Sequence, residues 1–159
     1  MIFLFVNYKK GPVMFFGMDV THPSPNDQKI TESIAACTGS FDRQGSFYGA
    51  RIFAQKTPKG QAYEMIHSLN EMVLSLLQEF YRINKVFPKK MVFYRDGVSE
   101  GQFSLVLRHE MNKIREACQS VNVAYKPAIT FVVVQKRHHT RLFAADQKDR
   151  NGKAENVPP

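Results

Sequence analysis

The sequence predicts an α/β domain: a mixed five-stranded sheet in the order 3-2-1-4-5, with helices packed on it. Three observations carry this. The apolar period runs through three strand-like segments, a helix, a strand, a second helix and a last strand. The short Asp42-Arg43-Gln44-Gly45 link between the second and third segments suits a hairpin, so the first three strands can form an antiparallel meander. The later β-α-β-α-β run requires right-handed crossovers and parallel pairing. The order 3-2-1-4-5 satisfies both and sets the first strand parallel to the fourth.

Each element has its own signal. Val13-Met14-Phe15-Phe16-Gly17-Met18 is a short, nearly continuous apolar run that ends at Asp19 and reads as a buried strand. Thr21 to Thr31 holds two prolines, Asn26 and Asp27, and reads as a loop. Ser33–Phe41 and Ser46–Gln55 read as the next two strands. Ile66, Leu69, Val73, Leu76, Leu77 and Phe80 fall three and four apart, the buried face of a long helix. Met91–Tyr94 is a second short apolar run, ending at Arg95-Asp96. Ser99-x-x-Gln102 has capping-box form and predicts a helix from Ser99, with Phe103, Val106, Leu107, Met111, Ile114, Cys118 and Val121 as its buried stripe. Ile129–Val134 is a third β-branched run leading into the basic block Gln135–Arg141. Residues 147–159 form a polar tail without periodicity, expected to be mobile.

The chain has 159 residues, 43% of them hydrophobic and 23% charged, which suits one globular domain. No apolar run approaches the roughly 20 residues that cross a bilayer, so no membrane partner is expected. The opening Met1–Val6 lacks a basic flank and a small-residue cleavage site, and does not read as a secretory signal. The formal net charge is +8, which makes an anionic partner, nucleic acid first, the natural expectation. Two cysteines, Cys37 and Cys118, each inside an apolar segment, cannot build a disulfide framework and suit a reducing compartment, cytoplasm or nucleus.

Parallel neighbours end at the same edge of a sheet, and that edge is where open α/β sheets bind ligands. Asp19 and Asp96 stand at the ends of the first and fourth strands. Their carboxylates would face each other across one inter-strand gap of roughly 5 Å. Such a pair is unfavourable without a cation. Hard oxygen ligands with open positions favour Mg²⁺ or Mn²⁺. The plainer alternative for each Asp is a turn residue or helix cap.

Three blocks carry a family likeness: Gly17-Met18-Asp19-Val20-Thr21-His22-Pro23, Tyr94-Arg95-Asp96-Gly97-Val98-Ser99-Glu100-Gly101-Gln102-Phe103, and Val134-Gln135-Lys136-Arg137-His138-His139-Thr140-Arg141-Leu142-Phe143. They resemble the PIWI domain of Argonaute proteins, Argonaute branch, from about Pro12 to the end. Residues 1–11 read as a poorly matched extension. The resemblance implies a ribonuclease H-like fold, which agrees with the strand order. It also implies binding of a small guide RNA and its complementary target RNA in RNA silencing.

In cutting members the resemblance implies divalent-metal-dependent endonucleolytic hydrolysis of the target by an Asp-Glu-Asp-His set. Asp19 and Asp96 match the two metal-ligating Asp. Glu64, expected to open the long helix, matches the Glu that would complete the metal–water shell. The plainer account of Glu64 is an acid in a helix's first turn, favoured by the helix dipole. No histidine here fills the final place: His22 is in the first block's loop, His67 and His109 fall on expected helices, and His138 and His139 belong to the basic block. The resemblance therefore implies part of a larger protein, inactive alone. The alternative is an Argonaute that binds guide and target without cutting and recruits silencing partners.

Lys136, Arg137, His139 and Arg141 follow a buried strand. Residues two apart on an extended chain share a side, so Arg137, His139 and Arg141 can form one cationic row. The resemblance makes these four residues guide-phosphate contacts, which read no base sequence. It also implies tryptophan-bearing scaffold proteins as partners, on no residues that a short motif marks.

Overall fold

The computed structural model describes residues 11–24, 32–42, 44–56, 64–136, 143–146 and 148. Five strands and two α-helices follow in the order β1 (Val13–Thr21), β2 (Glu32–Ser40), β3 (Tyr48–Lys56), α1 (Leu69–Asn84), β4 (Lys90–Asp96), α2 (Phe103–Val121) and β5 (Ala128–Val134). The sheet order is β3-β2-β1-β4-β5. The pairs β1–β2 and β2–β3 are antiparallel, and β1–β4 and β4–β5 are parallel. This is the order that the strand signals predict, and it agrees with the ribonuclease H-like fold that the resemblance implies.

The two helices pack against each other, and α1 lies on the sheet. The core forms where strand alternation meets the helical stripes. Met14, Phe16 and Met18 of β1 and Met91 and Phe93 of β4 point into it, with Leu69, Met72, Val73, Leu76, Leu77 and Phe80 of α1 and Ile114 and Cys118 of α2. Phe16 and Phe93 stack at 4.3 Å between ring centroids, tying the central parallel pair together. Fully burying such a side chain contributes about 1.5–3 kcal/mol. Cys37 is also buried, and burial pushes its thiol up to about 12, so it stays protonated and inert.

Four boundaries differ from the sequence signals. β1 does not end at Asp19 but runs to Thr21, because β2 keeps pairing as far as Thr21–Ile34 while pairing with β4 stops at Met18–Arg95. The turn between β2 and β3 is longer than Asp42–Gly45: Asp42 Oδ1 accepts the backbone N–H groups of Ser46 and Phe47, and Phe41 N–H reaches the Phe47 carbonyl. α1 starts at Leu69, so Ile66 is buried ahead of the helix and not on it. α2 starts at Phe103, after a 3-10 turn over Glu100–Gln102. There Ser99 Oγ bonds the Gln102 side chain instead of capping a backbone N–H.

On α2 the stripe is also shifted. Leu107 is exposed, and the buried positions are Val106, Glu110, Ile114, Ala117 and Cys118. A glutamate replaces an aliphatic residue in the core for the reason given below. The tail at 147 and 149–159 lies outside the described residues. Among the described residues no helix is long and apolar enough to cross a membrane.

Candidate catalytic edge

The parallel register of β1 and β4 pairs Met18 with Arg95. Asp19 and Asp96 each stand one residue further on. Met18 and Arg95 point into the core, so alternation turns Asp19 and Asp96 to the opposite face, together. The Asp19 carboxylate reaches across to the start of the next loop: a Cβ built on Gly97 would stand 3.1 Å from Asp19 Oδ1. Asp19 Oδ1 otherwise accepts the Val20 N–H, and Asp96 Oδ1 accepts the Gly97 N–H. Gly97 holds φ at +84°, a backbone conformation that favours glycine and turns the chain away directly after the carboxylate.

A cation already sits at this edge. Lys136, two residues past β5, places Nζ 2.9 Å from Asp96 Oδ2. Its hydrogen bond holds the Asp96 carboxyl below the usual range, and the same contact raises the Lys136 ammonium. Asp19 also acts on that ammonium through its charge. The edge therefore attracts positive charge. Its donors are hard oxygens on an open face, and Mg²⁺ is commonly held by one or two carboxylates with waters completing its shell. The pair fits such an ion in chemistry. Among the described residues no three of His, Cys, Asp and Glu converge to hold a metal.

Glu64 stands elsewhere than expected. It does not open α1 but lies five residues ahead of it, in an irregular segment. The acid in the helix's first turn is Glu71. Glu64 Oε1 is 3.0 Å from His22 Nε2, and His22 Nδ1 is 2.7 Å from Ser33 Oγ on β2. Arg95 joins Glu64 to the sheet end. Its Nη2 donates to the Glu64 carbonyl and its Nη1 to the Asp96 carbonyl, while Nε lies 3.1 Å from Glu110 Oε1. Asp19 and Asp96 thus share one face. Glu64 is at the same end of the sheet, tied through Arg95 and His22.

Arg95 and Glu110 are both fully buried. Burial pushes the Glu110 carboxyl up, against the pull of the Arg95 guanidinium. Neither residue is singled out by a catalytic pattern, yet a signal exists. Arg95 continues the inward alternation of Met91 and Phe93, and Glu110 sits four residues from both Val106 and Ile114. A charge on each of two apolar stripes marks both residues as buried, without saying that they meet. Of the basic block, Lys136 is placed as described, while Arg137, His139 and Arg141 lie outside the described residues.

A five-stranded mixed sheet in the order 3-2-1-4-5, with two acids just past the end of its central parallel pairing, defines a class, the ribonuclease H-like α/β fold. The chain belongs to the Piwi domain family, whose model matches residues 2–159. Among solved structures it is similar to the C-terminal lobe of a budding yeast Argonaute, with 27% identity and a TM-score of 0.73 over 89% of this chain and 28% of that one. It is similar to Kluyveromyces polysporus Argonaute with a guide RNA, with 27% identity and a TM-score of 0.74 over 96% of this chain and 17% of that one. The likeness to Drosophila Piwi, at 23% identity and a TM-score of 0.58 over 76% of this chain and 15% of that one, bears on the fold alone. The chain spans less than a third of the length of each of these structures.

Proposed function

We propose that this chain supplies the cutting edge of an RNA-guided endoribonuclease: an Argonaute that holds a small guide RNA, pairs it with a target RNA and hydrolyses the target in RNA silencing. The observation that carries this is the placement of Asp19 and Asp96 on one face, each directly past the last paired residues of two adjacent parallel strands. Asp19 and Asp96 would hold the divalent cation, Mg²⁺ or Mn²⁺. When bound, that ion neutralises the phosphodiester and lowers the pKa of an attacking water. Glu64, steadied by His22 and Arg95, adds a third acid at this end of the sheet. In-line hydrolysis leaves a 3′-hydroxyl and a 5′-phosphate.

Lys136, Arg137, His139 and Arg141 would follow the guide backbone, so base pairing supplies the specificity. Tryptophan-bearing scaffold proteins are the proposed protein partners, and the cytoplasm, with the nucleus, the proposed location. A second proposal is a silent Argonaute that holds guide and target and recruits partners. The Lys136 ammonium, 2.9 Å from Asp96 Oδ2, already neutralises one of the two acids and favours it.

The test uses the protein that carries this chain, loaded with a guide and given a complementary target in Mg²⁺. Cutting that disappears in Asp96→Ala while guide binding persists supports the nuclease. Cutting retained in that variant overturns the assignment, and target binding without cutting in the unsubstituted protein selects the silent reading.

A further inference from the structure

The segment from Glu64 to Ser68 belongs to no helix or strand, yet Met65 and Ile66 are buried. A buried irregular segment must satisfy its backbone groups through side chains or water. Two buried polar residues with no part in the proposed chemistry do this. Gln55 on β3 donates Nε2 to the Met65 carbonyl at 2.9 Å and accepts the His67 N–H on Oε1 at 3.2 Å. Glu110 on α2 accepts the Ile66 N–H at 3.4 Å on Oε1, the same oxygen that Arg95 Nε approaches. Arg95 then donates to the Glu64 carbonyl.

The residue types follow from the bonds. The Met65 carbonyl and the His67 N–H require one acceptor and one donor on a single side chain, which a carboxamide provides. A carboxylate would leave the Met65 carbonyl unpaired, and an apolar residue would leave both unpaired, at a cost for each buried group. Ile66 N–H and Arg95 are both donors, which a carboxylate matches. Met65 also packs with Val98 and Val106, so the segment is seated by apolar contact between its two polar holds.

We propose that Gln55 and Glu110 are positioning residues: they clamp residues 65–67 from the sheet and from the helix layer, and so set the Glu64 carboxylate against His22. The catalytic consequence rests on the nuclease reading above, whereas the clamp itself does not.

The test is made on the full chain by NMR, with the His22 ring nitrogen signals calibrated against Glu64→Ala. In Gln55→Met the His67 amide exchanges about tenfold faster, as expected for one lost hydrogen bond. The His22 ring signals shift toward their Glu64→Ala positions, while core amides such as Leu76 and Phe93 keep their protection. His22 signals that stay at their original positions overturn the clamp. If Gln55→Met does not fold, Gln55→Asn, which keeps the amide but shortens its reach, is read in the same way. In the guide-loaded protein the clamp variant lowers kcat and leaves KM for the target unchanged. Unchanged kcat with displaced His22 signals overturns the catalytic consequence. An unsubstituted protein that does not cut overturns the nuclease reading alone, and the His22 signals still decide the clamp.

Discussion

Lys136 Nζ stands 2.9 Å from Asp96 Oδ2, so the first cation of the basic block faces the carboxylate edge. One ammonium thereby engages one carboxylate oxygen of Asp96, while the other accepts the Gly97 N–H. The loop after β5 and the metal-ligand candidates are coupled by charge.

This coupling sets a pH dependence. The Lys136 hydrogen bond holds the folded-state Asp96 carboxyl below its ordinary value. A lowered carboxyl contributes stability that is present above the unfolded value, about 3.9, and is lost as pH falls through the folded one. We predict that Lys136→Ala moves the Asp96 carboxyl titration upward, read from its side-chain carbon signal. The stability gap between the two proteins closes as the solution is acidified below about pH 4. The gap is small, because an exposed pair is screened. An unmoved titration contradicts the contact.

The same substitution removes a competing positive charge. Lys136→Ala is expected to tighten Mn²⁺ binding a few-fold, measured by the loss of the free-ion paramagnetic resonance signal. Weaker binding in the variant would show that the ammonium supports the ion instead of opposing it.

Gly97 tests the geometry of the Asp19–Asp96 face. Its φ of +84° and the 3.1 Å approach of a built Cβ to Asp19 Oδ1 both penalise a side chain. Gly97→Ala should lose about 1–2 kcal/mol in urea unfolding, from left-handed strain. Gly101, whose added Cβ would meet nothing within 4 Å, is the control. Gly101→Ala is expected to be neutral or slightly stabilising. Equal losses at the two positions would contradict the account.

The buried Arg95–Glu110 pair predicts non-additive energetics. Glu110→Leu strands a guanidinium in the core and should cost about 3–5 kcal/mol. Arg95→Met combined with Glu110→Leu removes both charges and should recover part of that loss, the rest remaining because the Ile66 N–H and the Glu64 carbonyl lose their partners. A double-mutant cycle in urea reads the coupling, and additive losses would mean that the pair is not buried together.

For RNA binding, Arg137→Ala should weaken guide–target duplex binding at every sequence tested and reduce the salt slope by about one contact's worth. A loss confined to particular sequences would contradict a phosphate contact.

The sheet order was legible because strand and helix periods are local signals and because crossover handedness prunes the alternatives. Asp19 and Asp96 were legible for a related reason. Each follows an apolar run, and parallel pairing brings such ends to one edge whatever the side chains do. The place of Glu64 was not legible. Ile66 continues the apolar spacing of α1, yet the helix begins only at Leu69, because Arg95, Gln55 and Glu110 take the backbone groups of residues 64–67 that a first helical turn would otherwise present.

Local sequence thus determined the strands, the α1 stripe, the topology and the two acids of the central parallel pair. Tertiary structure alone decided that Glu64 faces His22, that Arg95 is neutralised by Glu110, and that Lys136 reaches Asp96. The physical reason is range. Hydrophobic alternation is written within a few residues, whereas these polar contacts join residues 42, 15 and 40 positions apart, and their partners exist only once the sheet and helices have packed.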